Sequence, residues 1–504
     1  MRAGKNFLAG VVSSCWGALV AVLAVPYYLK YLGVESYGLI GFFAMMQAML
    51  SLLDMGLSPT MNREVARHSA LNTIKEARAL LHTLTILYLG TAFFIGIGIY
   101  LSASYLSTNW LNAEAFDPTV LRNVIILMGV VIACRWPIGL YQGVLMGKQL
   151  ILISSKMNIL MVSLSSAGAI GVLAFLSPTI EAFFIWQALV GIFYLLIMRW
   201  VTWKVLGREG AGKFNIRNLK NVWRFSIGMS GVAISSIVLL QLDKVLLSRL
   251  LTLNDFGLYS LAIVLASGLN ILVTPLFNVI FPSFSGLVAK NQPKKILQIY
   301  KTGAHLFSGV IFSLAFSVAF YSHEIVYLWV HDLNIANKIS PLVSVLIIGG
   351  AINGIMIFSY ALQLAYGLTN VTLVIILSLI IFYAPATYIF VNIYGMLGGG
   401  YAWLVLNLIY LFFGTWLTHR YLFKNKGFQW ILCDVLFPVW VSFLTIFLGS
   451  LVAEFASNMA LKIFIATIFF IFSIIICFIT LPKIMQSEIK LMLKHNMKFD
   501  THNA

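Results

Sequence analysis

Fourteen stretches of about 17–25 predominantly apolar residues follow one another along the 504-residue chain, separated by short segments where charge, Pro and Gly collect. A run of that length is what an α-helix needs to cross ~30 Å of hydrocarbon. They fall near 7–25, 37–57, 80–103, 121–147, 157–176, 179–199, 225–250, 257–280, 304–321, 339–362, 368–391, 398–418, 430–452 and 460–481. Only 10% of residues are charged and 61% are hydrophobic, against roughly 25% and 45–50% in a soluble domain. The chain is therefore expected to be an all-α polytopic membrane protein with about fourteen transmembrane helices. The first run follows Arg2 and Lys5, as a leader peptide would, but its length and the spans directly behind it predict a retained anchor. Cys15, Cys134, Cys433 and Cys477 all lie in apolar runs, where small buried thiols are expected, and imply no redox or zinc role.

The net charge of +17 would suggest nucleic acid in a soluble protein. Here its distribution sets orientation, because short cytoplasmic loops hold an excess of Lys and Arg. With the N-terminus inside, 26 basic residues fall on inner segments and five on outer ones, namely Lys30, Arg122, Arg249, Lys338 and Lys462. Arg135 and Lys244 lie within spans. The most basic stretch, Arg199 to Arg224, is read as a topology determinant on an anionic leaflet. The inner loops near 63–78 and 290–301 mix charge with apolar residues and are expected to lie flat at the interface as amphipathic helices. Tyr27, Tyr28, Trp110, Trp203, Trp223 and Trp430, near span ends, fit an aromatic belt.

A repeat appears at a shift of 219 residues. Lys30-Tyr-Leu-Gly-Val-Glu-Ser-Tyr-Gly-Leu39 aligns with Arg249-Leu-Leu-Thr-Leu-Asn-Asp-Phe-Gly-Leu258, and the same shift pairs Leu57 with Leu276, Ala70 with Ala289, Asn72 with Asn291, Lys75 with Lys294 and Thr83 with Thr302. Six crossings return the chain to its starting side, so spans 1–6 and 7–12 are expected to be two six-helix bundles in parallel orientation. Parallel repeats of this kind recur in secondary transporters. The division expected is an N-terminal bundle over 1–200, a basic cytoplasmic linker over 201–224, a C-terminal bundle over 225–420, an added helix pair over 430–481 and a basic cytoplasmic tail over 482–504.

Ionisable groups at membrane depth are costly and usually face the bundle interior. The clear cases are Arg135 in span 4 and Asp243-Lys244 in span 7, with Asp54 and Asp434 closer to the inner interface. Arg135 offers a planar fork of donors suited to a multi-oxygen anion such as phosphate; a salt bridge with Asp54 or Asp243 is the structural alternative. Asp243 and Lys244 point about 100° apart on a helix, so one of them is expected to line a cavity. Arg135, Gly139, Gly143 and Gly147 form a nearly bare face fit for close helix packing or for a bulky ligand. Pro26, Pro137, Pro275, Pro385 and Pro438 mark places where helices can break.

The chain has no Walker loop, dinucleotide fingerprint, metal-ligand spacing or nucleophile elbow. His323, Glu324, His331 and Asp332 share an outer loop and read as solvated surface. No cofactor is expected, and any driving force is an ion gradient, a partner or the substrate's own gradient.

Asp54-Met-Gly-Leu-Ser-Pro-Thr-Met-Asn-Arg63-Glu-Val-Ala, Leu242-Asp243-Lys-Val-Leu-Leu-Ser-Arg-Leu-Leu-Thr-Leu-Asn-Asp-Phe-Gly257-Leu-Tyr-Ser-Leu-Ala and Pro275-Leu-Phe-Asn-Val-Ile-Phe-Pro282-Ser-Phe-Ser resemble the polysaccharide transporter branch of the MATE-like exporters, the Wzx-type flippases for O-antigen and related repeat units. The resemblance implies two six-helix bundles in a V around a cationic cavity in the bacterial inner membrane. It also implies cargo in the form of an undecaprenyl-pyrophosphate-linked oligosaccharide, turned from the cytoplasmic to the periplasmic leaflet by alternating access. Arg135 and Lys244 would bind the pyrophosphate, while Asp243 and Asp54 would exchange a coupling H+ or Na+. Polysaccharide polymerase or other assembly proteins are possible partners. Spans 13 and 14 depart from the simplest twelve-helix pattern. A multidrug or lipid II exporter would share the fold, and a membrane enzyme of polysaccharide assembly is the alternative from another class, disfavoured by short outer loops near 104–120 and 322–338. Periplasmic reporters fused within 111–116 or 331–338 should be active, and those fused at 207 or 367 inactive; the reverse pattern would overturn the orientation.

Overall fold

The computed structural model describes residues 2–207, 216–423, 427–456 and 458–480. Residues 208–215 of the expected linker and the whole tail lie outside them. Thirteen helices among the described residues are long and apolar enough to cross a membrane. The first of these is 47 residues, Leu8–Asp54, which at 1.5 Å per residue is about 70 Å and too long for one crossing. It is divided at Gly33, whose φ of 81° and ψ of 174° belong to a region that side chains with a Cβ avoid. The two halves of α1 (Arg2–Leu50) are thus the first two expected spans.

By internal contacts the chain forms two compact units, Met1–Ser260 and Leu261–Ala504. In the first, α1 is followed by α2 (Leu57–Ala70), α3 (Ile74–Tyr105), α4 (Pro118–Arg135), α5 (Ile138–Gly147), α6 (Ile151–Phe175), α7 (Ile180–Leu206) and α8 (Ile216–Leu250), with α9 (Leu253–Ala266) crossing the boundary. α6 lies along α1, tied by hydrogen bonds from Trp16 Nε1 to Ser163 Oγ (2.9 Å) and from Asn158 Nδ2 to Ser13 Oγ (3.0 Å). α4 packs on α3 and α7, and α5 on α2 and α7.

The second unit continues with α10 (Asn270–Ala289), α11 (Pro293–Phe320), α12 (Ser322–Val330), α13 (Leu333–Ile355), α14 (Ile357–Ala365), α15 (Thr369–Tyr394), α16 (Met396–Ile409), α17 (Thr415–Leu422), α18 (Gly427–Trp430), α19 (Phe437–Glu454) and α20 (Met459–Ile479). The final pair, α19 and α20, docks on α11 through small side chains. Ser313 Oγ lies 3.1 Å from Ser442 Oγ and 2.7 Å from Ser473 Oγ, and a Cβ at Gly309 would come within 2.6 Å of Cys477 Cβ. Small residues let helix backbones approach, and their hydroxyls find partners that lipid cannot supply. Lys462 adds an ion pair to Glu324 at 3.2 Å. Glu324 is thereby engaged structurally, as is Asp332, which accepts the Asn334 and Ile335 N–H groups at the start of α13.

The repeat is visible in backbone detail. Asn72 and Asn291, 219 residues apart, both adopt left-handed conformations (φ 58° and 50°). Each sits in the same capping pattern, with Leu71 N–H on Arg67 O and Thr73 N–H on His68 O in one copy, and Lys290 N–H on Gly286 O and Gln292 N–H on Leu287 O in the other. Of the two expected interfacial helices, the second is absent as a separate element: beyond a tight turn at 290–292 the chain enters α11 directly. In the first stretch, residues 63–70 belong to the separate short helix α2, which lies outside the candidate spans, and 74–78 open α3. The charge pattern of a long helix emerging from lipid is the same as that of a short one lying on it. The interruption between α4 and α5 at Trp136-Pro137 also has its counterpart, between α13 and α14 at Met356. Among the expected proline breaks only Pro137 separates two helices. Pro26, Pro275 and Pro385 lie inside continuous ones, and Pro438 opens α19.

Two repeat-related segments meet each other. A Cβ at Gly38 would lie 2.4 Å from the Leu253 carbonyl oxygen, and one at Gly257 would lie 2.4 Å from the Val34 carbonyl oxygen. Since Val34 corresponds to Leu253 and Gly38 to Gly257, the contact is reciprocal, as at a local two-fold axis. Nearby, the outer loop between α3 and α4 is pinned. Glu35 accepts the Glu114 and Ala115 N–H groups, and Asn112 accepts Leu253 N–H at 2.8 Å and donates to Arg249 O at 3.0 Å. Asp117 ends this loop as the cap of α4, and the hydrogen bonds it accepts from Thr119 hold its carboxyl below the usual range. Gly38→Leu or Gly257→Leu should overpack the contact by ~1–3 kcal/mol and lower the thermal midpoint of the purified protein. Gly286→Ala, with open space around its position, should not lower it.

Candidate functional site

Arg135 closes α4, where Pro137 prevents the helix from continuing. Within the 30-residue span Pro118–Gly147 it stands about 4 Å along the axis from the middle. Its Nη2 donates to Gln187 Oε1 at 2.6 Å and to Ser165 Oγ at 3.2 Å, and Ser165 Oγ donates to the same Gln187 oxygen at 2.7 Å. The guanidinium carbon is 5.8 Å from the centre of the Phe43 ring. Nε is buried without an acceptor. No described carboxylate lies within 4.0 Å, and the expected salt-bridge partners are engaged elsewhere. Arg135 thus has no counter-ion among the described residues and is oriented by neutral groups. Burying an ion without a counter-ion costs several kcal/mol, so the arrangement does not serve stability.

Asp54 ends a 3-10 turn (Ser51–Asp54). Met55 and Gly56 then take left-handed conformations, which swings the chain into α2. The Asp54 carboxylate accepts from the Tyr88 hydroxyl, from Ser58 Oγ at 2.7 Å and from Ser58 N–H at 3.3 Å. It lines a cleft of about 190 Å³ whose far wall includes Ala233 and Ile237 of α8. The Tyr88 ring lies 6.0 Å from that of Trp136, the residue after Arg135, and a Cβ at Gly139 would be 3.1 Å from Ser58 Oγ. The Asp54 cluster therefore abuts the α4–α5 break beside Arg135. The bare face formed by Gly139, Gly143 and Gly147 is filled by α2, with Ser58, Asn62 and Val65 against it. Packing is its use, and no ligand can run along it.

Asp243 is buried and accepts from Tyr259 Oη at 2.7 Å. Lys244 does not point away from it as the angular argument expects. Its long side chain folds back along α8, donates to Leu240 O at 2.8 Å and brings Nζ to 4.0 Å from Asp243 Oδ1. These two residues answer each other, whereas Arg135 answers no acid. Sequence reasoning named the four charged residues and missed the neutral groups that hold them: Gln187, Ser165, Tyr88, Ser58 and Tyr259. Gln187, the sole amide between residues 179 and 199, carried a usable signal, since an amide in hydrocarbon needs a partner. Among the described residues no cluster of His, Cys, Asp or Glu could hold a metal ion.

The helical arrangement is that of the MATE-like transporters, and the chain is a multi-pass membrane protein of that fold. The lipid II flippase MurJ in an inward closed conformation matches with a TM-score of 0.66 at 13% identity, over 93% of this chain and 97% of its own. An inward-facing multidrug resistance MATE family transporter of the MOP superfamily matches with a TM-score of 0.66 at 14% identity, over 80% and 95%. A family model described as polysaccharide biosynthesis protein matches residues 3–288, and the chain belongs to that family. A putative O-antigen transporter of Shigella flexneri is 20% identical over 432 residues, 82% of this chain and 97% of the relative. Tyr88→Phe removes the donor to Asp54 but keeps the ring on Trp136. It should cost ~1–3 kcal/mol, read as a lowered thermal midpoint, and an unchanged midpoint would show that the bond contributes nothing.

Proposed function

We propose that the protein is a flippase of the bacterial inner membrane, with both termini cytoplasmic, and that it moves undecaprenyl-pyrophosphate-linked oligosaccharide units from the cytoplasmic to the periplasmic leaflet. The observation that carries this reading is Arg135, a guanidinium near mid-span with only neutral partners. A pyrophosphate supplies the missing anion, and a rigid fork suits its oxygens. Lys244, partly neutralised by Asp243, is a second and weaker contact. The same charge works against export of organic cations, which an acidic cavity would favour.

Substrate binding at Arg135 must be reversible. Neutral Gln187 and Ser165 orient the guanidinium without competing for it as a carboxylate would, so the phosphate can be taken up and released. Asp54, hydrogen-bonded and bordering a cleft, is positioned to exchange a coupling H+ or Na+; Asp243, closed in by Tyr259 and Lys244, is the less accessible of the two. Arg135→Ala should leave insertion and yield intact while abolishing surface polysaccharide in a complementation assay, and Arg135→Lys should restore part of it. Polymer at the normal level from Arg135→Ala would sink the assignment, and a parallel vesicle assay with a labelled lipid-linked unit tests the transport step directly.

A further inference from the structure

Far from Arg135 in sequence, the junction of α17 and α18 holds a cavity of about 220 Å³ lined by Phe412, Trp416, His419, Gly427, Phe428 and Ile431. Its aromatic walls are open to the surroundings: Phe412, Trp416 and Phe428 are all exposed. Behind His419, which lines it, the packing is closed. His419, 1% exposed, shares a hydrogen bond with Tyr300 Oη through Nε2 at 3.0 Å, and Tyr300 Oη reaches Ser359 Oγ at 2.8 Å. Trp430, placed by its sequence position in an aromatic belt, is instead fully buried and stacked on Tyr300 at 5.0 Å. The imidazole Nδ1 of His419 and the indole Nε1 of Trp430 are both buried without a partner, and their rings lie 5.8 Å apart. Two buried nitrogens without partners in one cluster carry a desolvation cost.

A cation stands at the rim. Arg420 is exposed, its guanidinium lies 5.5 Å from the centre of the Trp416 ring, and no described carboxylate is within 4.0 Å of it. In the orientation set by the basic loops, α17 runs to the inner face and α18 starts from it, so the cavity opens at the level of inner-leaflet headgroups. An apolar slot and a cation at the headgroup level match two parts of one molecule, an acyl chain and a phosphate. Basic pockets on the cytoplasmic side of transmembrane helices bind anionic lipids on this principle. We infer that the groove between α17 and α18 holds one anionic glycerophospholipid, its acyl chain along Trp416 and Phe428 and its phosphate against Arg420. The volume suits part of one chain and leaves no room for an oligosaccharide. The lining does not include Arg135, and the inference shares with the flippase reading only the orientation of the chain.

Native mass spectrometry of the full chain, released from detergent after incubation with equal amounts of phosphatidylglycerol and phosphatidylethanolamine of matched chains, tests this. The protein should retain one phosphatidylglycerol with a preference of about tenfold, the weight of one charge-assisted contact. Arg420→Gln should abolish the preference, and Trp416→Ala should reduce retention of both lipids. Arg122→Gln is the control, because Arg122 makes the same kind of contact with Tyr100 at 5.9 Å on the opposite face and should change nothing. Equal retention of the two lipids by the unaltered protein, or a preference surviving in Arg420→Gln, would overturn the inference. So would one-for-one displacement of phosphatidylglycerol by undecaprenyl phosphate, which would give the groove to the polyprenyl lipid instead.

Discussion

Hydrocarbon offers no hydrogen-bond partner, and most of this structure follows from that. Backbone groups are satisfied within helices, and each polar side chain inside a span must find another protein atom or carry an energetic penalty. The Ser313, Ser442 and Ser473 hydroxyls answer one another where α19 and α20 meet α11. Asp54 is wrapped by Ser58 and Tyr88, and Asp243 by Tyr259 and Lys244. Against this background of mutual satisfaction Arg135 stands out, since its charge is oriented but not neutralised. In the proposed function, the substrate that visits Arg135 accounts for that cost.

The spans and their order were legible because crossing length and charge spacing are properties of the sequence alone. The repeat was equally legible, and its weak identities at Asn72 and Asn291 turned out to report a shared backbone conformation. Other features were hidden for physical reasons. A helix leaving the membrane and a helix lying on it share one charge pattern, so the start of α11 reads as a separate helix when it is not. The fate of Lys244 depended on the reach of its side chain back to Leu240 and Asp243, which helix angles alone do not give, and that of Trp430 on Tyr300, more than a hundred residues away. Of the site, the charged members were readable, since charge in hydrocarbon is conspicuous. Gln187 was readable only as an amide in need of a partner; which partner it takes, and that Ser165 joins it, are set by tertiary packing.

The two sequence repeats have taken different courses. The break after α4 carries Arg135, whereas the corresponding break after α13 is preceded by Asn353 and Gly354. There Asn353 donates to Asn407 at 2.8 Å, and Gly354 admits Ile311. One copy holds a cation at the interruption and the other a neutral amide pair. The second unit has gained instead a helix pair on α11 and an aromatic pocket around His419.

The reciprocal contact of Gly38 with Gly257 carries an evolutionary consequence. After a gene duplication, two copies of a segment are free to drift apart wherever each faces a different neighbour, and Arg135 and its counterpart have done so. On a symmetry axis each copy is the other's neighbour. A larger residue on either side meets a backbone shaped by the same ancestral requirement, so neither copy gains room by changing alone. Such a position should be among the last to lose the trace of common descent.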